Sequence, residues 1–278
     1  MKEYAFRIVN VFTREGRLTG NPLAVVEDAS GIDDATQQAL ARQFNLSETT
    51  FLFPSEKANA RVRIYTPAYE MPFAGHPTLG TAHVVRSLKG TGDSLTLEMK
   101  AGIIPVTAKG DRWTLQANAP KSRPASESAA DLADVLGIEA SEIGSPVLWV
   151  STGREQLIVP VKGAEAVRRV SPRAEPFGKL RSEHGAAQVL AFADAGSTVE
   201  SRFFFPSGAA ILEDPATGSA CANLGGWFIA TQPGRDVARV ISQGEAVARP
   251  STLYLDVRGG VVFVGGNVIE LGRGTVSL

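Results

Sequence analysis

The sequence predicts a mixed α+β chain built from two similar lobes, and three observations carry that expectation. The chain has 278 residues, nearly twice a typical domain of about 150. Most of its apolar periodicity is short and strand-like, interrupted by a few stretches with helical spacing. A pattern in the first half, HPTLGTA at His76–Ala82, also returns in the second half as DPATGSA at Asp214–Ala220. The copies share Pro, Gly, a hydroxyl residue and Ala in register. Each follows a strand carrying Arg-x-x-x-Pro, at Arg63–Pro67 and at Arg202–Pro206. Two lobes with the same strand–loop–helix unit explain this echo most economically.

Taken in order, Tyr4–Phe12 and Leu23–Val26 are rich in Val, Phe and Ile and read as strands, with TGNP between them as a turn. A helix follows, with Asp33 as N-cap, Ile32, Ala35, Ala39, Leu40 and Phe44 at helical spacing, and Asn45 as its stop. Thr49–Phe53 and Arg61–Thr66 return to strand, and Pro67 breaks the second. Pro72–Leu88 reads as a helix entered through Gly75-His76-Pro77, and strands at Ser94–Met99, Gly102–Ala108 and Trp113–Ala117 come next. The Pro-, Ser- and Ala-rich segment Ala119–Glu127 is the linker candidate. It gives lobes of residues 1–118 and 119–278, with the last strand able to return to the first lobe. Beyond it lie a helix at Ala129–Leu136, strands near Val147–Val150, Glu155–Val161 and Arg202–Phe205, and a second helix entered through Asp214-Pro215. The end, GGVVFVGGNVIEL, reads as a hairpin turning at Gly265-Gly266-Asn267.

Apolar residues make up 44% of the chain and charged ones 21%, enough to build a core. With 28 basic against 29 acidic side chains, a nucleic-acid-coating protein or a polybasic membrane binder is not expected. Cys221 is the sole cysteine, which excludes an internal disulfide, Cys-based zinc sites and two-thiol chemistry. Three histidines leave little room for a His-rich metal centre. His83, seven residues after His76, has the wrong spacing for an adjacent-turn ligand pair. The N-terminus lacks a long apolar signal region, and no run approaches the roughly 20 apolar residues of a membrane span. A cytoplasmic protein is the expectation.

Proline is favoured at the first helical position, so His76 and Asp214 read as cap residues with free backbone amides in the next turn. Gly80 and Gly218 would let a ligand approach the backbone, and Thr81 and Ser219 would add hydroxyl donors. Two such helix starts suit a small carboxylate, with ordinary capping as the competing explanation. His76 could exchange hydrogen bonds with a substrate near neutral pH, or simply bond a loop carbonyl. Glu48 stands beside the apolar Phe51-Leu52-Phe53, which would strip its hydration and suit it to take and give a proton. Glu70 and Glu213 are rival carboxylates that spacing cannot rank. Cys221, among Ala and Leu, reads as packing. No GxGxxG or GxxxxGK[ST] nucleotide motif is present.

These motifs together resemble the PhzF-like family of phenazine-biosynthesis isomerases. The likeness is carried by GNPLAVV (Gly20–Val26), NLSETTF (Asn45–Phe51), RIYTPAYEMPFAGHPTLGTA (Arg63–Ala82) and FFFPSGAAILEDPATGSACANLGGW (Phe203–Trp227). It implies a diaminopimelate-epimerase-like fold in which each lobe wraps a sheet or barrel around a central helix, with the site in the cleft between lobes. Epimerases of that fold use a cysteine from each lobe, and those neighbourhoods here read Ala74-Gly75-His76 and Ala216-Thr217-Gly218. The resemblance further implies Glu48 as general acid/base, His76 and Asp214 as its catalytic partners, and Ser47, Gly75, Gly218 and Ser219 as substrate-binding positions. The implied reaction is a cofactor-free proton shift on a small cyclic or unsaturated carboxylate, similar to trans-2,3-dihydro-3-hydroxyanthranilate isomerisation, with no metal, flavin or nucleotide. A homodimer is the implied assembly. A catalytically silent carboxylate-binding protein and an amino-acid epimerase stand as alternatives.

Overall fold

The computed structural model describes residues 1–278, which divide into two compact units. The first comprises Met1–Gln116 with Gly265–Leu278, and the second Ala117–Val264.

In the first unit, β1 (Glu3–Val11) pairs antiparallel with β2 (Asn21–Val26). After α1 (Asp34–Phe44), β3 (Glu48–Phe53) joins β2 in parallel, as a helical crossover requires. Then β4 (Ala60–Tyr65) pairs antiparallel with β3 and with the two-residue β5 (Glu70–Met71). The chain next forms α2 (Gly75–Lys89) and returns as β6 (Ser94–Met99), parallel to β4. A meander through β7 (Gly102–Lys109) and β8 (Arg112–Gln116) completes it.

The second unit opens with β9 (Lys121–Pro124), α3 (Ala129–Leu136), β10 (Leu148–Ser151) and β11 (Glu155–Pro160). Two short helices follow, α4 (Ala164–Arg169) and α5 (Ala174–Phe177), then a small ladder of β12 (Arg181–Ser182) and β13 (Gly185–Ala186). Next come β14 (Val189–Asp194), β15 (Thr198–Ser207), β16 (Ala210–Asp214), α6 (Gly218–Thr231), β17 (Val237–Gln243) and β18 (Ser251–Arg258). The last strand, β19 (Val261–Ser277), begins in this unit and ends in the first. There it pairs with β1 from Ser277 opposite Glu3 to Val268 opposite Val11. It also pairs with β8, and in the turn just before that strand the Asp111 carbonyl accepts from the Val268 N–H at 2.9 Å. The strands of the first unit therefore close on themselves.

The two units repeat one pairing scheme. In the second, β10–β11 is antiparallel, β11–β14 parallel, β14–β15 and β15–β16 antiparallel, β15–β17 parallel and β17–β18 antiparallel. This is the order of β1 to β7 over again, with the long helix inserted at the same point. Across each short hairpin an arginine grips a glutamate with two hydrogen bonds: Arg63 holds Glu70 at 2.8 and 2.9 Å, and Arg202 holds Glu213 at 3.0 and 2.6 Å.

Both long helices are internal. α2 packs on β1, β2, β3, β6 and β8, and α6 on β9, β10, β11, β17 and β18. That explains why α6 (GSACANLGGWFIAT) is apolar or small on all sides. A Cβ at Gly80 would lie 2.7 Å from Leu23 Cδ2 and 2.9 Å from Val11 Cγ2. One at Gly226 would lie 2.7 Å from both Pro120 Cβ and Val150 Cγ1. Gly80 therefore brings helix and sheet together and is fully covered, which corrects its reading as a ligand-approach residue. Thr81 is equally internal, with its hydroxyl 2.9 Å from that of Thr50.

Four further expectations change. The N-caps are Ala74 and Thr217, not His76 and Asp214, because the helices begin at Gly75 and Gly218. The register of the echo shifts accordingly: His76 corresponds to Ser219 and not to Asp214. The segment Ala119–Glu127 is not a free linker, since Lys121–Pro124 pairs with β10. Finally, Gly265–Asn267 lies inside the continuous β19 and is no turn. The chain reverses at Gly259-Gly260, where φ is +57° and +79°, the left-handed geometry of a two-residue hairpin.

Candidate active site

In the first unit, Asn45 ends α1 in the left-handed conformation (φ +51°) and Glu48 opens β3 three residues later. This short exit places Glu48 level with Leu23 on β2. His76 is the second residue of α2 and is buried. The two side chains meet, with His76 Nε2 3.2 Å from Glu48 Oε2 and both largely covered. Burial lowers the imidazole pKa to about 3, opposed only by a hydrogen bond to the Pro22 backbone carbonyl. With one nitrogen donating to that carbonyl, the neutral ring presents an acceptor nitrogen to Glu48. Pro22 belongs to the GNP stretch, whose part in orienting His76 the sequence did not indicate. Ser47 is exposed just before β3, and Gly75 is the half-covered first residue of α2.

In the second unit, Asp214 ends β16 and Ser219 is the exposed second residue of α6. Between them Thr217, the N-cap, donates its hydroxyl to the Asp214 carboxylate. Gln243 on β17 braces this turn. Its Oε1 accepts from the Thr217 N–H at 3.4 Å, while its Nε2 donates to the Asp214 carbonyl at 2.8 Å and to Thr217 Oγ1 at 3.0 Å. Ser219 Oγ accepts from Gln156 Nε2 at 3.0 Å. Neither α2 nor α6 has a side-chain cap, so the amides beginning at Gly75 and Gly218 keep the partial positive charge of a helix start. Thr217, Gln243 and Gln156 escaped the sequence reading. Buried amides and hydroxyls carry no periodic signal, and their roles follow from hydrogen-bond direction.

The rival carboxylates are engaged elsewhere. Arg63 and Lys100 hold Glu70 below the usual carboxylate range, and Arg202 takes both oxygens of Glu213. Cys221 is covered, and burial pushes its thiol up, away from nucleophilic use. His83 accepts from the Trp113 indole N–H at 3.4 Å. A separate cavity of about 260 Å³ is lined by Arg168, Glu200, Ser201, Arg202, Glu245 and Ala246, and holds none of the candidate residues.

The model of the PhzC-PhzF family of phenazine biosynthesis-like proteins matches residues 9–270. The chain is 36% identical to an uncharacterised isomerase of Pasteurella multocida, over 98% of this chain and 93% of that one. It is 34% identical to the trans-2,3-dihydro-3-hydroxyanthranilate isomerase of Pseudomonas fluorescens, over 94% and 95% of the two chains. Its structure is similar to that of a PhzF-family protein of Bacillus anthracis, with a TM-score of 0.88, 27% identity and full coverage of both chains. A hydroxyproline epimerase of Agrobacterium vitis shares the fold alone, with a TM-score of 0.63 at 13% identity over 99% and 91% of the chains.

Proposed function

Because the chain belongs to the phenazine biosynthesis-like PhzF family and is an isomerase of that family, we propose that it shifts a proton on a small unsaturated cyclic carboxylate, with Glu48 as the group that removes and returns it. The observation that carries this reading is the Glu48–His76 pair. In its carboxylate form Glu48 would face a neutral nitrogen lone pair, so proton uptake would replace a repulsion with a hydrogen bond. That exchange favours taking a proton from carbon, and it steadies the protonated acid until the proton is delivered to another carbon of the conjugated system. No atom is gained or lost.

Asp214 is assigned to the polar ring substituents, His76 to holding the proton that Glu48 takes up, and Ser47, Gly75, Gly218 and Ser219 to the carboxylate. Fixed amide and hydroxyl donors suit negative charge that grows as the carbon–hydrogen bond breaks. The relative from Pseudomonas fluorescens makes trans-2,3-dihydro-3-hydroxyanthranilate the first substrate to try. Incubation in deuterated buffer, followed by proton NMR, should show conversion with deuterium entering the product at carbon. Ligand binding without exchange or conversion would reject this function in favour of a silent binding protein. Assembly as a homodimer belongs to the same reading, and sedimentation at twice the monomer mass tests it.

A further inference from the structure

We propose that Gln156 is a positioning residue that fixes the direction of the Ser219 hydroxyl, so that its proton is always offered outward to the substrate carboxylate; this rests on the binding role assigned to Ser219 above. The chain of bonds starts at backbone groups whose polarity is fixed. The Thr152 backbone N–H can only donate, and it does so to Asn223 Oδ1 at 2.8 Å. The Arg154 carbonyl can only accept, and it does so from Asn223 Nδ2 at 3.0 Å. These two bonds set the orientation of the Asn223 amide.

The second Nδ2 hydrogen of Asn223 then goes to Gln156 Oε1 at 2.8 Å, which sets the Gln156 amide in turn. Its two Nε2 hydrogens are taken by Gln188 Oε1 at 3.1 Å and Ser219 Oγ at 3.0 Å. Ser219 is thereby an acceptor toward the interior, and its own proton points elsewhere. Gln156 and Asn223 are both 0% exposed, whereas Ser219 is exposed. Its two inner amides are closed to solvent, and reversal would break both backbone bonds of Asn223. A backbone-anchored chain of amides thus ends in one outward-facing donor.

Gln156→Glu tests the direction without removing the contact. An ionised carboxylate accepts at both oxygens, so the Ser219 hydroxyl would turn inward and be lost to the ligand. When protonated, the introduced carboxyl supplies a donor again. Binding of anthranilate, followed by calorimetry across pH, is expected to weaken about 10- to 100-fold in Gln156→Glu and to recover as the pH falls. In a Ser219→Ala background the added charge is the same but no hydroxyl remains, so the pH-dependent loss should shrink to about threefold or less. An equal loss in both backgrounds would overturn the proposal.

If the wild-type protein binds no anthranilate, the carboxylate-binding role of Ser219 fails, and the relay is judged in the free protein. Side-chain amide NMR should then show Ser219→Ala shifting one Nε2 hydrogen of Gln156 and leaving the one facing Gln188 in place. Two unmoved hydrogens would refute the relay. The same spectrum decides the matter if Gln156→Glu does not fold.

Discussion

Arg63 and Arg202 each set one guanidinium edge, Nε and Nη2, against both oxygens of a glutamate, and that commitment separates three acidic residues of similar surroundings. Glu70→Gln and Glu213→Gln should each lower stability by about 1–3 kcal/mol, because a largely covered guanidinium loses one of two charged hydrogen bonds and its Nη1 contacts cannot replace it. Turnover should stay within a few-fold of wild type. Thermal unfolding with a parallel rate assay checks both halves of the statement, and loss of turnover without loss of stability would return either glutamate to the chemistry. His76 makes a pH-dependent prediction. Its folded pKa of about 3 lies below the unfolded value of about 6.5, so between these limits the unfolded chain binds the extra proton. The contribution of the neutral ring is present above about pH 6.5 and is lost as the pH falls toward 3. Urea midpoints of His76→Gln should therefore fall less than those of wild type between about pH 7 and pH 4.5. At this scale the sequence marked Glu48 and His76 as candidates, a carboxylate before an apolar strand and an imidazole near a helix start, but spacing left Glu48 level with Glu70 and Glu213, and only the family resemblance ranked it first. The sequence could not expose Thr217, Gln243 or Gln156, whose roles depend on which atom donates to which.

At the scale of elements, α2 and α6 are helices whose positions are set by what surrounds them. Alanine is a better helix former than glycine by about 1 kcal/mol, and on an exposed helix Gly→Ala would stabilise. At Gly80 and Gly226 the neighbours stand 2.7 Å from the new Cβ, so Gly80→Ala and Gly226→Ala should instead each cost about 1–3 kcal/mol. Calorimetric unfolding reads the sign directly. The same internal placement explains how the sequence misplaced the helix starts. Proline at the first helical position is a good local rule, yet Pro77 sits in the third position and Pro215 lies outside the helix altogether. The turn at the chain's end was misplaced for a related reason. Two glycine pairs compete there, and only Gly259-Gly260 takes positive φ; Gly265 and Gly266 serve close packing, the Cβ of Gly266 falling 2.2 Å from Phe12 Cδ1.

On the scale of the molecule, the repeated strand–hairpin–helix unit was visible as a sequence echo, whereas its register was not. Shared Pro, Gly and Ala aligned His76 with Asp214, while the backbone aligns the helix-opening glycines and so pairs His76 with Ser219. Long-range pairing decided the ends of the chain. Because β1 depends on residues 268–277 for its outer partner, removing 268–278 should leave the first unit unable to fold cooperatively, seen as loss of its share of the unfolding enthalpy. A truncated chain with the full transition would contradict that dependence. The central claim is the proton transfer assigned to Glu48, and the most direct test is the rate of deuterium incorporation into trans-2,3-dihydro-3-hydroxyanthranilate by Glu48→Gln beside wild type. Wild type should incorporate deuterium, and the folded variant should do so about 10²- to 10⁴-fold more slowly. Unchanged incorporation by Glu48→Gln would contradict it.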